Sequence, residues 1–301
     1  MTAAPPQLHR PRLYLLDVEG TVAPISFVYE QLFPYARAHL AAFLEQNQGD
    51  ADVQADLALL VEENRAETGP GCPLILGAPG LDSETREGTK SIVRDPEQLV
   101  ISCHPEQSEM SCHPERAGRV EGPAFRDAAL AYLNWLMDQD RKSTALKSLQ
   151  GKIWKAGFES GELKGTLFAD VPDAFARWSG TGNRTGKMTG KVAIYSSGSV
   201  EAQRLLFRHS IYGDLTPSIA GYFDTRTGPK TASASYAAIA AAMHIAPSQV
   251  LFFSDVVREL DPAHEAGLAT RLVMREGNVP VEDAHQDAHG HAVIHSFDEV
   301  G

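Results

Sequence analysis

Two acidic residues, Asp17 and Glu19, come directly after a short apolar run over residues 13–16. An apolar run of this length that ends in an acid is typical of a buried parallel strand. A carboxylate at the end of such a strand can act as a nucleophile or a metal ligand. A second acid two residues later can transfer protons or contribute its backbone to the metal. A solvated strand end would show the same residues, so this pair alone leaves both interpretations open.

Two serines, Ser196 and Ser197, follow a second apolar run over residues 192–195 and precede a helical pattern. Hydroxyl groups and free N–H groups at the N-terminus of a helix form a phosphate-binding site. The alternative is that Ser199 merely caps the helix, and both statements can hold together. The serine turn is therefore a candidate site for a phosphate group.

Lys230 and Asp255 complete the set of candidate residues. Lys230 stands at the start of a predicted helix over residues 230–243, where a cation could balance carboxylates and bind a transferring phosphoryl group. Most lysines, however, are solvated surface charges. Asp255 follows an apolar run over residues 250–253, and an acid in that position is a good ligand for Mg²⁺. Glu259, one helical turn later, could reach the same site or could be a helix-start charge favoured by the helix dipole.

These residues need a scaffold in which several strands end at the same edge. Apolar runs predict strands at residues 13–17, 192–195, 250–253, 272–274 and 292–295. Helical periodicity predicts helices at residues 27–46, 53–67, 124–137, 143–154, 200–208, 230–243 and 261–266, and Pro34 should kink or divide the first. Strands that alternate with helices form a parallel sheet whose carboxyl ends carry the site. We therefore expect an α/β fold with a Rossmann-like parallel-sheet core.

A long helical segment separates the first predicted strand from the others, which predicts an α-helical cap domain inserted into the core. The expected discontinuous core covers residues 1–26 and 191–301, and the cap covers residues 27–190. Within the cap, residues 68–122 are rich in Gly, Pro, Ser, Glu and Arg and lack periodicity, as in a disordered insertion. Residues 179–190 are rich in Gly and Thr, which indicates a flexible hinge.

The segment over residues 68–122 contains the pentapeptide Ser-Cys-His-Pro-Glu twice. The two copies offer soft ligands to zinc, namely Cys103, His104, Cys112 and His113. Their spacing is not that of a standard zinc motif, and a tandem duplication explains the repeat without a function. The chain has 3 cysteines, all in this region, and the odd number argues against a disulfide framework.

The composition of the 301-residue chain excludes some classes of function. The formal net charge is −12 and the pI is about 5.4, whereas nucleic acids and anionic membranes attract clusters of Lys and Arg. No apolar stretch approaches the roughly 20 residues of a transmembrane helix, and residues 1–12 lack the apolar core of a signal peptide. We therefore expect a cytoplasmic monomer that binds neither nucleic acid nor membrane, although local cations and a metal can still hold an anionic small molecule.

The order of the candidate residues resembles the haloacid dehalogenase-like superfamily of phosphatases, and longer motifs narrow the resemblance. Residues 17–21 carry Glu19 where most relatives have a second Asp, and residues 24–28 and 32–35 extend the match. Further matching segments are residues 149–154, 161–165, 170–172, 195–203, 221–225 and 254–255. This set is similar to the acireductone synthase family, the bifunctional enolase-phosphatases of methionine salvage. The resemblance covers nearly the whole chain except about residues 68–122 and 179–190.

The resemblance implies a magnesium-dependent enzyme with a small phosphorylated diketone as its substrate. The reaction would be the enolisation and dephosphorylation of 5-methylthio-2,3-dioxopentyl phosphate to the acireductone 1,2-dihydroxy-5-methylthiopent-1-en-3-one. Asp17 would form an aspartyl-phosphate, with Glu19 and Lys230 as the other catalytic residues. The implied ligands of Mg²⁺ are Asp17, Glu19 and Asp255, and the implied contacts of the substrate phosphate are Ser196, Ser197 and Lys230.

Some points stay open at the level of sequence. The base for enolisation could be Glu19 or a cap residue such as Lys164. Thr166 and Pro229 stand where the family pattern predicts His, and either change could tune the substrate step without removing the phosphatase chemistry. Two alternatives therefore remain, namely a phosphatase of the same superfamily for another small phosphoester, and a catalytically weak binding homologue.

Overall fold

The computed structural model describes residues 10–68, 123–141, 143–181, 190–277 and 288–300. Within these residues the strands are β1 (Leu13–Leu16), β2 (Lys191–Tyr195), β3 (Ile219–Phe223), β4 (Val250–Ser254), β5 (Ala269–Val273) and β6 (Ala292–Ile294). The α-helices are α1 (Phe33–Gln46), α2 (Ala51–Thr68), α3 (Pro123–Asp138), α4 (Thr144–Ser160), α5 (Val171–Ser179), α6 (Val200–Arg208), α7 (Ser233–Ala242) and α8 (Val257–Glu265). None of these helices is long and apolar enough to cross a membrane.

Three expectations fall wholly or mostly on other parts of the chain. Residues 69–122 and 182–189 lie outside the described residues. They hold most of the expected insertion over residues 68–122 and of the expected hinge over residues 179–190. The candidate zinc ligands also lie outside the described residues, namely Cys103, His104, Cys112 and His113.

The strands form one six-stranded parallel sheet in the order β3-β2-β1-β4-β5-β6. β1 lies in the middle, where Leu13 pairs with Lys191 of β2 on one side and with Val250 of β4 on the other. A strand in this position has neighbours at both edges, and all four residues of β1 are apolar and buried. The expected α/β class with a Rossmann-like parallel sheet is confirmed.

Alternate residues of β1 belong to two different parts of the core, as the pleat of a strand requires. Tyr14 and Leu16 pack in a cluster with apolar side chains of α5 and α6. Leu13 and Leu15 pack in a second cluster with side chains of α7 and α8. Helices therefore cover both faces of the sheet, and the carboxyl ends of the strands remain as the edge where polar side chains can gather.

The chain changes its helix type just before α1. Residues Phe27–Leu32 form a π-helical turn, and α1 begins at Phe33. Pro34 has no backbone N–H and cannot donate to the carbonyl oxygen of a preceding turn, so the regular hydrogen-bond pattern is interrupted where the helix type changes. The indole Nε1 of Trp154 donates to the carbonyl oxygen of Leu32 at 2.8 Å, which satisfies an acceptor at the junction. The helix is not divided near Pro34, because helical structure continues without a break from residue 25 to residue 46, and the alternative of a kink there stays a prediction.

The chain divides into two compact units, Met1–Phe43 with Gln150–Gly301, and Leu44–Leu149. The first unit holds the whole sheet. The described part of the second unit is helical, and Ser143 Oγ just before α4 donates to the Glu63 carboxylate of α2 at 2.6 Å. The division into a catalytic core and a cap, as expected from the sequence, stays a prediction.

The structure corrects several expected boundaries. α7 begins at Ser233 instead of residue 230, because the chain is still extended at Ala232. α4 continues to Ser160, and α8 begins at Val257, four residues before its expected start at residue 261. Two elements were not predicted. β3 is mostly half-buried and has a glycine in its middle, and α5 is short with a proline in its first turn.

Candidate active site

The carboxyl end of β1 holds Asp17 in a fixed orientation. The Asp17 N–H donates to the carbonyl oxygen of Phe253 in β4 at 3.0 Å, which continues the sheet by one residue. The Asp17 Oδ1 atom accepts a hydrogen bond from the Val18 N–H at 2.7 Å. Only 4% of the Asp17 side chain is exposed. The carboxylate therefore has one defined position in a place that excludes most water.

The Lys230 ammonium joins two carboxylates. Its Nζ atom lies 2.6 Å from Asp17 Oδ1 and 2.5 Å from Glu259 Oε2, and 9% of the lysine side chain is exposed. Burial by itself would lower the pKa of Lys230, but the Asp17 and Glu259 carboxylates outweigh this effect and raise it. The ammonium thus stays charged and balances two acids in a poorly solvated place.

The turn before α7 places Lys230 there, which corrects the expectation that this lysine stands at the start of a helix. Side-chain hydroxyl groups donate to three consecutive carbonyl oxygens of the turn: Tyr195 to Gly228 at 2.8 Å, Ser235 to Pro229 at 2.8 Å, and Tyr236 to Lys230 at 2.7 Å. The backbone of the turn is therefore held from the sheet and from α7. The ammonium position follows from these bonds.

The end of β4 and the first turn of α8 add a hydroxyl and a carboxylate. Ser254 Oγ lies 3.1 Å from Glu259 Oε2 and 3.4 Å from Asp17 Oδ2. Burial, and then repulsion by the Asp17 charge, raises the pKa of Glu259. The sequence left Glu259 as either a site residue or a helix-start charge, and its contact with Lys230 places it in the site.

Asp255 lies against the loop that follows β1. Gly20 of this loop has a φ of +75°, and a Cβ atom there would overlap the Asp255 carboxylate. Glycine is thus the residue that lets the loop pass this close to Asp255. Burial, and then repulsion by Asp17, raises the pKa of Asp255 to about 7. The Asp255 Oδ1 atom is buried and has no hydrogen-bond partner among the described residues.

The serine turn after β2 meets the second acid of the first motif. Ser196 Oγ donates to Glu19 Oε2 at 3.2 Å. Burial, and then repulsion by Asp17, raises the pKa of Glu19. Ser197 is exposed in the same turn, and Ser199 caps α6 with its side chain. The capping role that was kept as an alternative therefore holds for Ser199, while Ser196 contacts an acid of the site.

The chemistry of these side chains fits a hard divalent cation. Asp17, Glu19 and Asp255 offer carboxylate oxygens, which Mg²⁺ prefers as ligands. Repulsion by Asp17 raises the pKa of both Glu19 and Asp255, and a cation among the three acids would relieve it. Within the described ranges, no three His, Cys, Asp or Glu side chains could hold an ion as they stand. These residues thus fit Mg²⁺ in the type of their donor atoms and in their charge. In this structure the Asp17 carboxylate is paired with the Lys230 ammonium.

Some contacts of the site had no clear signal in the sequence. The hydroxyl of Ser254 joins Glu259 and approaches Asp17, although only its neighbour Asp255 stood out as a candidate. The four-residue spacing between Asp255 and Glu259 was the one available sign that both belong to the same site. Lys164, a candidate base, is exposed in this structure.

Comparison with known proteins gives relatives over almost the full length of the chain, although no family model matches it. The enolase-phosphatase E1 of Synechococcus elongatus is 44% identical over 286 residues, which cover 95% of this chain and 96% of that protein. The enolase-phosphatase E1 of Sorangium cellulosum is 36% identical and covers 96% of this chain and 97% of its own length.

A solved structure is similar to this chain in fold and in sequence. The UTR4 protein of Saccharomyces cerevisiae is 30% identical and has a TM-score of 0.64, with 97% of this chain and 100% of that chain covered. The resemblance to the family of bifunctional enolase-phosphatases, first seen in the motifs around Asp17 and Ser196, is confirmed by the curated relatives. The chain is an enzyme, and it belongs to the enolase-phosphatase E1 family.

Proposed function

We propose that the chain converts 5-methylthio-2,3-dioxopentyl phosphate to the acireductone in methionine salvage, by enolisation followed by dephosphorylation. The observation that carries the proposal is the buried Asp17 carboxylate, paired with the Lys230 ammonium at the carboxyl ends of a parallel sheet. A positioned nucleophile beside a cation is what phosphoryl transfer requires. The relatives named as enolase-phosphatases support the combination of both steps.

In the phosphatase step, a carboxylate oxygen of Asp17 attacks the phosphorus in line with the leaving oxygen, and an aspartyl-phosphate forms. The hydrogen bond from Val18 and the contact with Lys230 support this role, because they hold the carboxylate in one orientation. Lys230 is also placed to neutralise oxygens of the transferring group. Ser196 and Ser197 offer hydroxyl and N–H groups of the turn before α6 to the same phosphate.

Glu19 would carry the protons of this step. It donates a proton to the leaving oxygen, and it then takes one from the water that hydrolyses the aspartyl-phosphate and releases Asp17. Its place two residues after Asp17, and its hydrogen bond from Ser196, support this role. We also propose Glu19 as the base for enolisation, since it lies within the site whereas Lys164 is exposed.

Mg²⁺ is the proposed cofactor, with Asp17, Glu19 and Asp255 as its ligands. Glu19 would contribute its backbone carbonyl oxygen, which leaves its carboxyl group free for proton transfer. When bound, it supplies positive charge and Lewis acidity to the phosphate and to the neighbouring dicarbonyl group. The unpartnered Asp255 oxygen and the three crowded carboxylates support this assignment.

The proposal extends to the organisation of the enzyme. Residues 27–190 would form a helical cap on a catalytic core made of residues 1–26 and 191–301, which the helices between β1 and β2 support. The enzyme would act in the cytoplasm and as a monomer. The net charge of −12 supports a monomer, since strong like charge opposes self-association.

The experiment that tests this function follows phosphate release from 5-methylthio-2,3-dioxopentyl phosphate with Mg²⁺, and the enol intermediate by its ultraviolet absorbance. Wild type should form the enol and then release phosphate. Asp17→Asn, which keeps the shape of the side chain, should lower phosphate release by about 1,000-fold or more because the nucleophile is lost. A chelator should stop release by the wild type, and added Mg²⁺ should restore it.

Two other results would change the assignment. Release from generic phosphoesters but not from this diketone phosphate would leave a phosphatase with another substrate. A folded wild type that releases phosphate from none of them with Mg²⁺ present would indicate a binding role.

A further inference from the structure

Arg275 is a buried cation on the far side of the loop that follows β1. It lies two residues after β5, and only 5% of its side chain is exposed. Its guanidinium carbon, Cζ, lies over two aromatic rings, 4.6 Å from the ring centre of Phe168 and 4.3 Å from that of Phe297. Contact with two rings restrains the guanidinium group and so limits the directions in which its N–H groups can point.

The N–H groups of Arg275 reach three separate segments of the chain. Nε donates to the Thr21 carbonyl oxygen at 3.0 Å, and Nη1 donates to Asp170 Oδ2 at 2.7 Å and to the His295 carbonyl oxygen at 3.2 Å. The segment before α5 also reaches the same loop, since the Phe168 N–H donates to the Val22 carbonyl oxygen at 3.0 Å. The loop after β1 is therefore held by two contacts, one from the Arg275 side chain and one from the backbone of Phe168.

The hydrogen bond from Arg275 to the Thr21 carbonyl oxygen matters because Thr21 lies next to residues of the site. Thr21 follows Gly20, the residue that packs against the Asp255 carboxylate, and it lies two residues after Glu19. A shift of the Thr21 carbonyl would move Gly20 relative to Asp255 and would move the backbone that carries Glu19. Displacements of about 1 Å in an active site can cost about 100-fold in rate.

We infer that Arg275 is a positioning residue that acts on the reaction through the loop of residues 17–23. The inference rests on the proposed function, because it assigns the consequence to Asp17 and Glu19. The fork of the guanidinium is needed, since it bonds Thr21 and Asp170 at once with two different nitrogens. A lysine could keep the ion pair with Asp170, but its single nitrogen cannot span both partners in this geometry.

The test compares Arg275→Lys and Arg275→Met with a matched control, Arg177→Lys. Arg177 bonds the same C-terminal turn, through the Phe297 carbonyl oxygen at 2.9 Å and Asp298 at 3.2 Å. No bond joins Arg177 to Thr21. Each variant is measured for kcat and KM of phosphate release, for the Mg²⁺ concentration that gives half activity, and for amide hydrogen exchange in the peptides that cover residues 17–23 and 191–195.

We expect Arg275→Lys to lower kcat by about 10-fold with KM changed by less than about 3-fold, and Arg275→Met to lower kcat further. Both should need several-fold more Mg²⁺ for half activity. Exchange should rise in the peptide over residues 17–23 but not in the peptide over residues 191–195. Arg177→Lys should keep kcat within about 2-fold of the wild type.

Several results would overturn the inference. It fails if folded Arg275→Lys keeps the kcat and loop exchange of the wild type, or if Arg177→Lys loses as much kcat. Failure of both Arg275 variants to fold would assign the residue to stability alone. If the wild type does not turn over the diketone phosphate, the proposed function fails, and the exchange comparison still decides whether Arg275 holds the loop.

Discussion

At the scale of single residues, the site depends on one buried cation among several acids. The Lys230 ammonium contacts the carboxylates of Asp17 and Glu259. The Ser254 hydroxyl lies within hydrogen-bond distance of the same two carboxylates. Without the ammonium, two buried like charges would face each other in a poorly solvated place. Lys230 thus balances the charge of these acids, and in the proposed reaction it would also offer charge to a phosphate.

Replacing Lys230 by Met should lower kcat for phosphate release by about 100-fold or more, because both the counter-charge of Asp17 and the charge on the transferring group are lost. Steady-state kinetics with saturating Mg²⁺ measures this. Lys155→Met is the matched control, since Lys155 pairs with Glu201 at 3.0 Å in an exposed place. The control should stay within about 2-fold of wild-type kcat, and an equal loss in both variants would contradict a specific role for Lys230.

Residue types in the site were predictable where each one directly follows an apolar run. Asp17, Ser196 and Asp255 all come at the carboxyl end of a buried strand, and a local pattern marks that position. Arg275 was not predictable, because its partners are two carbonyl oxygens, a carboxylate and two rings from distant segments, and no local pattern marks such contacts. Glu259 was partly predictable. Its spacing from Asp255 indicated that it could reach the site, but a charge at the start of a helix would have the same spacing.

At the scale of elements, the loop after β1 depends on a glycine for two separable reasons. Gly20 has a positive φ, and it also lacks the Cβ that would overlap Asp255. Gly161 after α4 has a similar φ of +82° but has open space where its Cβ would be. The two glycines therefore allow backbone strain to be separated from the collision at the site.

Gly161→Ala should destabilise the protein by about 1 kcal/mol through backbone strain alone and should leave kcat near the wild-type value. Gly20→Ala should cost at least as much stability and should also lower kcat by about 10-fold or more, since Asp255 must move. Chemical denaturation and steady-state kinetics measure the two quantities. Equal kcat values for the two variants would show that the close approach to Asp255 has no part in the reaction.

The start of α5 is held by an acid that also binds Arg275. Asp170 Oδ2 accepts from Arg275 Nη1 at 2.7 Å, from Ser296 Oγ at 3.0 Å and from the Phe297 N–H at 2.6 Å. Burial would raise the pKa of Asp170, but these donors and the Arg275 charge outweigh it and lower the pKa below its usual value. The ionised carboxylate therefore contributes stability to the folded state.

Asp170→Asn should lower the free energy of unfolding at neutral pH by about 2 kcal/mol, since charge-assisted hydrogen bonds are lost. The folded pKa lies below the unfolded value of about 4, so this stability is present above pH 4 and is lost as the pH falls through the folded pKa. The difference between wild type and variant should thus shrink in acid. Asp173→Asn, an exposed acid in the same helix, is the control, and a difference that grows in acid would contradict the sign.

Strands and helices differed in how well the sequence predicted them. β1, β2 and β4 are fully or almost fully buried, so their residues form unbroken apolar runs. β3 is mostly half-buried and contains Gly221, so its pattern resembles a loop. The start of α7 was misplaced because the hydroxyl donors that hold the Lys230 turn come from other elements. Side chains that stabilise a turn from a distance leave no periodicity in the turn itself.

At the scale of the whole molecule, the net charge of −12 bears on association. Like charges on two copies repel each other at low ionic strength, and the repulsion extends over roughly 10 Å at 0.1 M salt. Light scattering after size-exclusion chromatography should therefore give a mass near 32.6 kDa in dilute salt. A species of about twice this mass that persists on dilution would contradict the proposed monomer.

The middle position of β1 determines when the site can form as the chain is made. Leu13 is synthesised long before its partners Lys191 and Val250, which follow it by roughly 180 and 240 residues. At roughly 5–20 residues per second, the interval is on the order of ten seconds or more. During this time the apolar segment of β1 has neither neighbouring strand, and chaperones can bind it or aggregation can begin there. Asp17 is therefore synthesised long before the two strands that complete its surroundings.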